Sequence, residues 1–340
     1  MKNYFKALRD WIVEGGAMNF CKKGRAKLMT ILVLICDVNF NVYDKNGDTM
    51  LTNAVKNGHA DIVDILIDNE VDMNYKNAWG DTALITAVER ENEKITSLIL
   101  SRHTGVDVNL RNSKKETALL VAVGKENEEI TDMILKQREV DINCMDLWGN
   151  SALKIAMSMG NSNIVEKLVQ SGANTEMIDT KMNTALLFTV KQCDCSILDL
   201  LIQNGIDINQ ADKRGNTALM CAIIRGNKKM VKLLLDNKAN VNMVNSRGTT
   251  AVMMSISKGY KTITQELIDK NADINRANIK GNTPLMLAAN QKDVTTVKRL
   301  LRNKANVFKI NDKGNTALGI AKKRGIGDKF SKSMMDSMSI

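Results

Sequence analysis

A five-residue motif returns at near-constant spacing along almost the whole of this 340-residue chain. At Gly215–Leu219 it reads Gly-Asn-Thr-Ala-Leu. Its Thr, replaced by Ser in one copy, recurs at Thr49, Thr82, Thr117, Ser151, Thr184, Thr217, Thr250, Thr283 and Thr316. The successive gaps are 33, 35 and 34 residues, followed by five of 33. A fixed period in this range predicts a solenoid of stacked units, because one such unit cannot bury its apolar face alone. The chemistry of such a chain lies along an extended surface rather than in one pocket.

The stretch from Asp212 to Val244 shows what one period contains. Asp212-Lys213-Arg214-Gly215-Asn216 is a turn cluster, with Gly215 free to take a positive φ that a Cβ would disfavour. Thr217 can cap the helix that follows, and Leu219, Ala222 and Ile223 give that helix a short apolar face. Gly226-Asn227 ends it. Met230, Val231, Leu233, Leu234 and Leu235 make a second, more apolar helix, and residues 237–242 lead into the next turn.

The recurring elements are Asp/Asn-x-x-Gly-x-Thr-x-Leu, an Ala late in the first helix, Gly-Asn or Gly-His, a Val-x-x-Leu-Leu helix, and Ala/Val/Ile-Asp/Asn-x-Asn. In these the chain resembles the ankyrin repeat. Asp44–Asn74, Asp212–Asn242 and Asn278–Val307 are good copies, and the resemblance runs over about residues 21–327. It implies an all-α ankyrin-repeat solenoid of helix-turn-helix units with protruding hairpin loops. The family's Thr-Pro-Leu-His is mostly Thr-Ala-Leu here, and Pro284 is the only proline. Losing that His removes a link the family uses between repeats, so a less rigid array is expected. His59 stands at the family's Gly-His position, which implies a structural role.

The organisation read from the sequence has eight repeats, at 44–76, 77–111, 112–145, 146–178, 179–211, 212–244, 245–277 and 278–310. Extra residues at 101–105 and 136–139 account for the two long periods. Residues 1–43 read as a degenerate cap: a helix at 3–13 carrying Trp11, a closing loop at 15–19, and a shortened one-helix repeat. Residues 311–327 read as an incomplete repeat, and the Met/Ser-rich 328–340 as a frayed tail.

Composition bounds the function. The longest apolar run, 31–36, is too short to span a bilayer, and the start of the chain lacks a signal-peptide pattern. Six cysteines without paired spacing point to a reducing compartment, so the expected location is cytoplasmic, with secretion as an effector left open. The net charge of +10 is unevenly shared: residues 44–211 carry 16 basic and 26 acidic side chains, residues 212–340 carry 25 and 9. His59 and His103 are the only histidines, and neither has cysteines or carboxylates at metal-ligand spacing. Phosphate loops and nucleophile motifs are lacking, so no enzyme, cofactor or metal is expected.

The resemblance implies that partners touch the hairpin tips and the exposed ends of the first helices. In this chain those positions include Arg214, Arg247, Lys280 and Lys313 at the tips, and Arg225, Lys258 and Arg324 at the helix ends. With repeats about 10 Å apart they predict one basic stripe. Trp79 and Trp148 occupy two other tips, where indoles serve either local packing or binding. The leading expectation is a monomeric, non-catalytic scaffold for a protein partner with an acidic surface. Nucleic acid, an anionic surface, or head-to-tail self-association of acidic middle on basic end are the alternatives. Aromatic residues are only 4% of the chain and the two tip tryptophans lie outside the basic third, which weighs against nucleic acid.

Overall fold

The computed structural model describes residues 16–35, 39–69, 71–101, 105–176 and 184–338. The chain divides into two compact units, residues 1–182 and 183–340. In the first unit the described helices form five consecutive pairs: Ala17–Lys23 with Ala26–Ile35, Met50–Lys56 with Ala60–Asp68, Ala83–Glu89 with Glu93–Ser101, Ala118–Gly124 with Glu128–Leu135, and Ala152–Met159 with Ser162–Gln170. The second unit has five more: Ala185–Gln192 with Cys195–Gln203, Ala218–Arg225 with Lys228–Asp236, Ala251–Ser257 with Lys261–Asp269, Pro284–Asn290 with Val294–Arg302, and Ala317–Lys323 with Gly327–Met338.

The repeating Thr does what its position predicts. In each of the nine repeats its hydroxyl, Ser in one, accepts from the backbone N–H three residues on, as Thr217 does from Met220. Several second helices are capped the same way by Asn127, Asn161, Asp194, Asn227 and Asp293. In the second unit Leu219, Ala222, Met230 and Leu234 pack with Val252, Leu267, Leu285 and Leu300, all at most 1% exposed, so each pair buries its apolar side against its neighbours.

Side-chain amides tie each repeat to the next. Asn209 Oδ1 accepts from the Asn240 N–H at 2.8 Å, Asn242 from Asp273 at 2.7 Å and Asn275 from Asn306 at 2.7 Å. The first unit carries the same ladder through Asn41, Asn74, Asn109 and Asn143. Nearer the hairpins, Asn245 Nδ2 donates to Asn216 and Asn311 Nδ2 to Asn282.

Both ends depart from the sequence reading. Residues 17–19 are the start of a helix rather than a closing loop, and with Ala26–Ile35 they complete a full pair rather than a shortened unit. Gly24 takes φ 65° and ends the first of these helices, so Lys23-Gly24-Arg25 is the break inside the pair. A Cβ on Gly24 would meet the His59 ring at 2.7 Å, so this is where His59 packs. At the other end the incomplete repeat and frayed tail give way to a helix at Gly327–Met338. Ile326 and Phe330 are buried and Met334 is half-buried, spaced four apart, and they cover the apolar end of the preceding pair. The helix read at 3–13, with Trp11, lies outside the described residues, as does His103.

Candidate functional site

The hairpin tips of the second unit are held in register by the backbone itself. The carbonyl of Arg214 accepts from Ser246 N–H at 2.9 Å, that of Arg247 from Ile279 at 3.2 Å, and that of Lys280 from Asp312 at 3.2 Å. Each bond joins one tip to the residue just before the next tip. Arg214, Arg247, Lys280 and Lys313 therefore form one row, and all four side chains are exposed. Gly281 permits the close approach this needs, since a Cβ there would sit 2.8 Å from the Asn311 backbone.

The second row lies at the ends of the first helices. Arg225 is the last residue of its helix, and Lys258 and Arg324 are the C-caps of theirs; all are exposed. Positive charge there also complements the carbonyl end of the helix. The Arg324 guanidinium donates from Nε and Nη2 to Asn290 Oδ1 at 2.9 and 2.7 Å, which fixes it against the neighbouring repeat. The tip bonds join the first row repeat by repeat, the second row is interrupted by the uncharged C-cap Gln291, and the sequence reading missed what lies between tip and helix end on each first helix. Phe188, Cys221, Met254, Leu287 and Ile320 stand 33 residues apart on successive first helices, and each is half-buried. Cys221, Met254, Leu287 and Ile320 pack on the core from its outer side. Burial pushes the Cys221 thiol up to about 11, so it stays neutral and serves as floor. The period that revealed the Thr would have revealed this column too.

The first unit shows the same construction with other side chains. Trp79 accepts from Ser113 N–H through its carbonyl at 3.0 Å, and Lys114 from Leu147 at 2.8 Å. A groove of about 720 Å³ runs between Trp79 and Lys114 on the tip side and Arg90 and Lys125 at the helix ends, with Val121 and Ile155 on its floor. Trp79 is 53% exposed and its ring carries Lys56 Nζ 4.8 Å from the centroid, so one of its faces is engaged locally. Trp148 is 63% exposed next to Leu147 at 55%, and it is not among the groove-lining residues. Asp81 also lines this groove; burial pushes its carboxyl up, and Glu89 and Glu116 add to that against the hydrogen bond from Asn112.

Comparison with known proteins agrees with this geometry. Models of ankyrin repeats match residues 17–112, 97–179 and 186–278 as three copies, and a further ankyrin-repeat model matches 267–321. The chain belongs to the ankyrin-repeat family. A crystal structure of the ankyrin repeat protein EF0377 is similar to this ankyrin-repeat chain at 25% identity and a TM-score of 0.52, covering 56% of this chain and 97% of that one. No curated protein matches. Among the described residues of this ankyrin-repeat protein no helix is long and apolar enough to cross a membrane.

Proposed function

We propose that this ankyrin-repeat chain is a non-catalytic scaffold that binds a protein partner with an acidic surface. The contact surface is the face between the hairpin tips and the first-helix ends of the second unit. Arg214, Arg247, Lys280 and Lys313 border it on one side, Arg225, Lys258 and Arg324 on the other. The observation that carries this reading is the run of tip-to-tip backbone bonds at Arg214, Arg247 and Lys280, which aligns these cations without ordering a loop on binding. The exposed indoles of Trp79 and Trp148 make a second contact region in the first unit. The free thiols of Cys21, Cys144, Cys193, Cys195 and Cys221 suit a reducing compartment such as the cytoplasm.

Affinity capture combined with cross-linking mass spectrometry tests the reading, run with the wild-type chain and with R214E/R247E/K280E. The expected result is a partner cross-linked near these tips and lost from the triple variant, with the helical circular dichroism unchanged. Capture that survives the triple reversal at unchanged helicity contradicts it.

A further inference from the structure

We propose that the trough of the second unit takes one kind of occupant, an acidic amphipathic α-helix whose apolar side chains recur every seven residues. This rests on the reading that the face between tips and first-helix ends is the binding face, and it specifies the partner for that face.

The floor is apolar in every repeat of the unit, through Phe188, Cys221, Met254, Leu287 and Ile320, each half-buried. In the first unit the matching column begins with Asn53 and Thr86, buried polar residues, so an unbroken apolar floor belongs to the second unit. Packed helices lie about 10 Å apart, which sets the interval between floor side chains. An extended strand covers about 10 Å in three residues, but an odd step puts its side chains on opposite faces. A helix covers about 10.5 Å in seven residues and comes back to nearly the same face. The basic rows on both sides of the floor call for carboxylates on both flanks of that apolar stripe. Phe188 is the one ring on this floor, so from Cys221 to Ile320 successive bases would find nothing to stack on, which sets this trough apart from a single-strand nucleic-acid channel.

The probe is a 28-residue Glu- and Ala-rich peptide with Leu at every seventh position, compared with a peptide of the same composition whose leucines are out of register. Fluorescence anisotropy with the full chain at about 0.15 M salt, where exposed charges are screened beyond about 8 Å, reads the affinities. The patterned peptide is expected to bind at least ten times more tightly, and M254S/L287S to bring its affinity down to that of the control. Because that variant could lose stability, methyl NMR of the wild-type chain gives an independent readout. The Met254 methyl should shift on binding, while the fully buried Met253 methyl should not. Equal affinities for the two peptides, absence of binding by both, or an unmoved Met254 methyl each overturn the proposal. If both peptides bind equally and R214E/R247E/K280E releases both, the basic face stands and the floor register falls. If that triple variant leaves both bound, the binding-face reading itself falls.

Discussion

At the residue scale, two aspartates in equivalent hairpins carry opposite electrostatic consequences. Asp81 accepts from Asn112 Nδ2 at 3.1 Å, a link that elsewhere in the array is made by Asn216 and Asn282. Burial, then the nearby Glu89 and Glu116, raise its carboxyl above the ordinary range. A raised folded pKa means that ionisation opposes folding at neutral pH, and that the cost fades as pH falls through the folded pKa and is gone below the unfolded value near 4. Asp81→Asn keeps the acceptor and should raise Tm at pH 7, with the gain gone near pH 3. Asp44 runs the other way. Burial would raise it, but Lys22, the Asn46 and Asp48 N–H groups and Asn53 outweigh burial and hold it at about 2. Its contribution is present above the unfolded value near 4 and is lost as pH falls towards 2, so Asp44→Asn should cost stability at pH 7 and little at pH 2. Thermal melts across pH for both variants check the pair, and a Tm change of the same sign in each contradicts the assignment.

At the element scale, the capping threonines, the helix breaks and the hairpin tips were legible in the sequence because each is a strong local signal repeated at one period. The terminal pairs were not. At 326–338 the spacing of Ile326, Phe330 and Met334 is helical, but Gly, Asp and Ser weigh weakly as helix signals and only the neighbouring pair shows what the apolar residues cover. The asparagine ladder was hidden for a different reason: an Asp/Asn-x-Asn loop reads as a turn, and its bond to the next repeat exists only after stacking. The apolar floor escaped because a half-buried Met or Leu on a first helix reads as core. Phe330 is 1% exposed, so Phe330→Ala should cost about 3–5 kcal/mol locally. In a stack coupled through nearest neighbours that loss stays near the end. Hydrogen exchange should show amides of 317–338 deprotected while those of 218–236 keep their protection. Uniform loss of protection across both would contradict it.

At the scale of the whole molecule, the charge is partitioned rather than spread, with 25 basic and 9 acidic side chains after residue 211 against 16 and 26 over 44–211. Net charge alone would attract any anion to any side of the second unit, and its second helices also carry cations, among them Lys229, Lys232 and Lys298. The proposed function turns on position: it assigns binding to the face bordered by the row that the tip bonds align, and leaves the cations of the second helices as solvating charge. The most direct measurement is the affinity of a polyglutamate peptide at about 50 mM salt, where screening is weakest, for two variants of identical net charge. One is R214E/R247E/K280E, the other K229E/K232E/K298E. The account predicts at least a tenfold loss for the first and less than twofold for the second. Equal losses in the two would show that total charge, and not the aligned face, governs binding.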